Sequence, residues 1–180
     1  VSDEGSETID PSHVAAEVGE YFPCYDVSDK KGILIEIPNG ANQGGSDLWI
    51  FKNAKTRLTK TNYYHHYPSF PDDGNFVLFA SKRGKNLIND YAEDSYIWRM
   101  RSSAAGGITR ISSPAFEYFC PSYSPDQSKV LCHTVSLRGE DEYIWYMESN
   151  GALPSQLTKG EYPSWLNDDT ISFCVKDEIT

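Results

Sequence analysis

Two adjacent histidines, His65 and His66, stand three and two residues ahead of Pro68. The same offsets ahead of three other prolines hold Glu20 and Tyr21 before Pro23, Tyr118 and Phe119 before Pro121, and Gly160 and Glu161 before Pro163. Imidazole and carboxylate together can hold a cation, and the rings of Tyr21, Tyr118 and Phe119 can stack a sugar or a peptide. A metal site of this kind needs three or four ligands converging within about 2.0–2.2 Å of the ion. Neighbouring residues of a strand point to opposite faces, so at most one of the two histidines can take part. Ordinary polar strand ends account for the same residues more simply, and neither a metal nor a cofactor is expected.

Other candidate chemistries are weaker. Asp72, Asp73, Asp126, Asp168 and Asp169 invite a calcium reading, but they lack the EF-hand spacing and sit where turn residues belong. The chain has no G-x-S-x-G elbow, no H-E-x-x-H and no Walker sequence, which argues against a serine hydrolase, a zinc protease or a nucleotide-driven enzyme. No N-x-Ser/Thr sequon is present. The four cysteines, Cys24, Cys120, Cys132 and Cys174, show no C-x-x-C spacing, so a zinc ribbon or redox motif is not expected. Repeat alignment places Cys132 and Cys174 on opposite faces, which disfavours a bond between them; small buried hydrophobes are the expected role.

What must position these residues is a repeat. Tyr67-Pro68-Ser69-Phe70-Pro71-Asp72-Asp73-Gly74 returns as Cys120-Pro121-Ser122-Tyr123-Ser124-Pro125-Asp126-Gln127 and as Tyr162-Pro163-Ser164-Trp165-Leu166-Asn167-Asp168-Asp169. A degraded copy begins at Phe22-Pro23-Cys24. Each phrase opens a unit of four extended segments. A β-rich run follows it, such as Phe76-Val77-Leu78-Phe79-Ala80-Ser81. A third segment carries Trp49, Trp98 or Trp145, and a short fourth one reads Thr56-Arg57-Leu58-Thr59 in the first copy. Gly, Asn and Asp clusters between them signal antiparallel hairpins. No sustained helical period occurs, the nearest being five residues at 14–18, read as loop or a single turn. Four strands in roughly 45 residues is the arithmetic of a β-propeller blade.

Composition agrees with a β fold, since aromatics make up 13% of the 180 residues. The net charge of −10 repels phosphate backbones, so nucleic acid is not an expected partner. No apolar run reaches the roughly 18 residues of a membrane span. The acidic, polar opening from Val1 to Glu7 is unlike a signal peptide, which suits a cytosolic chain or one whose signal has been removed.

The phrase, the acidic-Ile-aromatic strand (Tyr143-Ile144-Trp145) and the Arg-Leu-Thr ending resemble the TolB-type propeller repeat, also called the PD40 or WD40-like repeat. The resemblance covers residues 21–180 and implies an all-β fold, a β-propeller of four-stranded antiparallel blades with about four blades visible, as a partial or small propeller. The blades fall at about 21–60, 61–113, 114–159 and 160–180, the last incomplete, with the N-terminal segment 1–20 available to supply closing strands. In TolB-like blades the phrase lies on the innermost strand. The resemblance therefore brings Glu20, Tyr21, His65, His66, Tyr118, Phe119 and Glu161 to the mouth of the axial channel, as a site for a saccharide or peptide. His133 follows Cys132 as a metal-ligand histidine does in lyase relatives, but a histidine between blades is the plainer reading.

These readings converge on a non-enzymatic, periplasmic or extracellular propeller that binds protein or acts as an assembly scaffold. Self-association through exposed blade edges is a second expectation, and would make the chain a structural subunit of an extracellular homo-assembly or fibre. The enzymatic alternative is the propeller part of a metal-dependent polysaccharide lyase or of a prolyl-oligopeptidase-type peptidase.

Overall fold

The computed structural model describes residues 24–39, 45–71, 73–83, 95–103, 107–135 and 141–175. The 1–20 segment, the 14–18 stretch, Asp72 and residues 136–140 lie outside the described residues. Every regular element among the described residues is a strand.

The first sheet runs β1 (Tyr25–Ser28), β2 (Gly32–Pro38), β3 (Ser46–Phe51) and β4 (Lys55–Arg57). The second contains β5 (His65–Ser69), β6 (Phe76–Ser81), β7 (Tyr96–Arg101) and β8 (Thr109–Arg110). The third contains β9 (Glu117–Tyr123), β10 (Lys129–Val135), β11 (Glu142–Glu148) and β12 (Ser155–Lys159). A two-stranded sheet of β13 (Glu161–Trp165) and β14 (Ile171–Cys174) follows. Each is an antiparallel meander in sequence order, as hairpin connections require. This is the expected all-β propeller architecture.

The seams between sheets hold the core, and strand alternation explains how one strand serves two of them. On β6, Val77 and Phe79 join Leu34, Leu48 and Ile50 of the first sheet. Leu78, one residue out of phase, joins Ile97, Tyr118, Val130 and Cys132 at the next seam. Phe79, Leu78, Leu48, Ile97 and Ile144 are all fully buried. The recurring tryptophans only flank this core. Trp49, Trp98 and Trp145 are half-buried, and the residue before each one is the core member. Of the four cysteines, only Cys132 is buried; Cys24 and Cys120 are half-buried and Cys174 is exposed. The expectation of four buried thiols is thus met at one position.

Polar links also cross the seams. Asp26 accepts a hydrogen bond from the Phe70 amide at 2.7 Å, and Asp168 accepts one from the Asp126 amide at 2.7 Å. Leu157 on β12, Tyr162 and Phe173 on the last sheet, and Val175 just after it are exposed apolar side chains.

Candidate binding site on the axis

The first strands of the sheets, β1, β5, β9 and β13, pack against one another, which makes them the inner strands. Three of them carry the same irregularity. The ladder slips between His66 and Ser69, opposite Cys132 on β9, and between Glu161 and Ser164. At each slip the residue before the proline turns left-handed, with φ of 51° at Tyr67, 48° at Cys120 and 51° at Tyr162. The proline has no amide hydrogen to give the ladder, so a bulge is the natural place for it. A left-handed non-glycine residue costs of order 1–3 kcal/mol and persists only where its surroundings impose it.

These corners border an open cavity of about 450 Å³ where the inner strands meet. Its lining comes from all four inner segments: Cys24 to Asp26, Tyr67 to Ser69, Cys120 to Ser122, and Pro163 with Ser164. Prolines and tyrosines give it flat faces, serines and Asp26 give it acceptors, and no lysine, arginine or histidine is part of the lining. The Ser122 hydroxyl is buried without a hydrogen-bond partner. Burial pushes the Tyr67 phenol up to about 12, with smaller contributions from nearby Cys120 and Cys24. The cavity therefore presents uncharged hydroxyls and thiols beside the Asp26 carboxylate.

The residues singled out ahead of each proline lie just short of this wall. Glu20 and Tyr21 fall outside the described residues. His65 is fully buried, with Ser81 Oγ 2.8 Å from Nδ1 and Thr61 Oγ1 2.8 Å from Nε2, and Phe79 meets its ring edge-on. Tyr118 is likewise a core residue. Their successors face the other way. His66 Nδ1 lies 3.1 Å from the Glu36 carboxylate, which is 1% exposed, and its ring stacks on Tyr64. Phe119 stacks on His133 with centroids 5.2 Å apart. Glu161 is half-buried opposite Cys174. A continuous series of ring contacts links His66, Tyr67, Phe119, His133 and Tyr162 from the second sheet to the last. Among the described residues no three His, Cys, Asp or Glu side chains converge as a metal site. His133 serves the last seam, where its Nδ1 accepts the Tyr162 amide at 3.3 Å.

Sequence reasoning did not single out Cys24, Tyr67, Cys120 or Glu36. For the first three the signal was the phrase itself, read as a register mark. For Glu36 it was a lone charge within the apolar run from Ile33 to Ile37.

Sheets of this kind arranged about an axial cavity define a β-propeller, and here the propeller is TolB-like. Among solved structures the chain is similar to a protein assigned as TolB from Agrobacterium tumefaciens, at a TM-score of 0.64 and 20% identity over 81% of this chain and 53% of that one. TolB from Acinetobacter baumannii matches at 0.59 and 18% identity, over 78% of this chain and 34% of its own. A structure from a study of two prolyl endopeptidases matches at 0.54 and 14% identity, over 79% of this chain and 23% of its own. The likeness at these identities is one of fold, and the chain spans about half or less of each relative's length. No family model matches the chain, and no curated protein matches it. Among the described residues no helix is long and apolar enough to cross a membrane.

Proposed function

We propose that this propeller is a protein-binding or assembly scaffold that takes an extended segment of a partner into its axial cavity, in the periplasm or outside the cell. The convergence of the same phrase from four inner strands on one cavity of about 450 Å³ carries this reading. That volume lies within the usual range of ligand pockets. Proline and tyrosine faces suit the flat, low-entropy contacts of an extended peptide, and serine hydroxyls suit its backbone. His66, Phe119 and Glu161 would form the rim that the segment crosses. The net charge of −10 directs the choice of partner away from polyanions.

The test is site-specific photocrosslinking in the native host. A photoreactive phenylalanine analogue replaces Tyr25, which is exposed and lines the cavity, or the exposed Thr56 on the outer strand β4 as a control. A discrete adduct is expected from position 25 alone, lost when Tyr67→Ala is added. Equal adducts from both positions, or none from position 25, would overturn the reading.

Two other readings have support. The exposed apolar side chains on and around the last sheet favour self-association. The likeness to a prolyl endopeptidase favours the propeller part of a peptidase. Hydrolysis of a proline-containing peptide by the native full-length protein would establish that alternative.

A further inference from the structure

At two cavity positions the recurring phrase carries a cysteine in place of its usual residue. After the proline, Ser69, Ser122 and Ser164 stand where the first copy has Cys24. Before the proline, Tyr67 and Tyr162 stand where the third copy has Cys120. The two positions belong to the first and third sheets, yet both border the one axial cavity. Both thiols are free and partly exposed, and Cys120 sits on the left-handed corner of β9.

We propose that Cys24 and Cys120 are a redox pair that closes across the axial cavity as a disulfide joining the first and third sheets. Burial raises both thiols, Cys120 to about 12, so the site disfavours the pair of thiolates that a soft metal ion would require. A disulfide adds no charge to the cavity. The other thiols do not compete for this position, since Cys132 is completely buried in the second seam and Cys174 is exposed on β14.

The oxidant is a small disulfide, met by thiol–disulfide exchange. Cys24 is the thiol that ionises first, because a hydrogen bond from the Tyr67 backbone opposes part of the rise due to burial. Having lost its proton to solvent, its sulfur attacks the small disulfide, forms a mixed disulfide and expels one thiolate, which takes up a proton. Cys120 then loses its proton and attacks the Cys24 sulfur, expelling the second thiol. Two protein thiols and one small disulfide become one protein disulfide and two small thiols.

The test uses the whole chain with Cys174→Ser, reduced, freed of reductant and incubated with 2-hydroxyethyl disulfide at mildly alkaline pH. The expected product has lost two hydrogens, maps to a single bond between Cys24 and Cys120, and unfolds at a higher temperature than the reduced form. Cys24→Ser and Cys120→Tyr each restore the residue that the phrase carries elsewhere. In either variant the remaining cavity thiol should end as a hydroxyethyl mixed disulfide, with no rise in unfolding temperature. Two hydroxyethyl adducts on the parent, Cys24 and Cys120 thiols that still alkylate, or a bond from Cys120 to Cys132 would overturn the proposal. The bond forms or fails without any partner protein, so its failure leaves the binding reading to its own test.

Discussion

Burial holds the His65 imidazole at a pKa of about 4, against 6.5 for an unperturbed histidine, and the Asp47 charge offsets only part of that shift. Thr61 and Ser81 hydroxyls at 2.8 Å suit a neutral ring, which can donate with one nitrogen and accept with the other. Between pH 6.5 and about 4 the unfolded chain binds a proton here that the folded chain does not. Stability from this group is thus fully present above the window, falls as pH is lowered through it, and levels off below about 4. The loss is on the order of 3 kcal/mol. Urea unfolding at stepped pH measures it. His65→Gln is expected to be less stable at neutral pH and to lose this part of the slope; an unchanged slope would assign it to another group. The pairing of His65 with Ser81 was hidden in the sequence, because only strand register brings together residues 16 apart.

The turn between β11 and β12 reaches across to the preceding sheet. Gly151 there has φ of 91°, and a Cβ on it would lie 2.1 Å from the Ile111 carbonyl oxygen. Gly151→Ala should cost about 2 kcal/mol or more, through left-handed strain and the forced opening of that seam. Gly107→Ala, where a Cβ meets nothing within 4 Å, should be close to neutral in the same denaturant titration. On β6, Phe79→Ala removes a fully buried ring from the first seam and should lower the unfolding free energy by about 3–5 kcal/mol. The strands and hairpins were readable because period-two apolar runs and Gly or Asp turns are side-chain patterns. The bulges were not, since Tyr67, Cys120 and Tyr162 are not the glycine or asparagine that a positive φ usually selects. Sequence reasoning therefore stopped at the residues before each corner, while the cavity begins at the corner itself.

At the scale of the whole molecule, the phrase spacing was enough to give the propeller, because each copy marks the start of one sheet. What covers Leu157, Tyr162, Phe173 and Val175 was not readable, since burial by a neighbour is a property of the neighbour. The purified chain is expected to scatter light as a species larger than its 20.3 kDa, with a concentration dependence. Phe173→Ser with Val175→Ser should shift it toward the monomer. A parent protein monomeric at every concentration would remove self-association from consideration.

Each left-handed corner also has a consequence for inheritance. The residues that set a sheet's inner strand are the same residues that line the bore, so every sheet arrives with its own length of wall. A tandem duplication would enlarge the lining by one proline and its two neighbours without disturbing the seams already present. What the bore admits is then adjustable by copy number as well as by substitution. The positions flanking the proline, where Cys24 and Cys120 stand in place of serine and tyrosine, are the ones at which the copies in this chain already give the bore different linings.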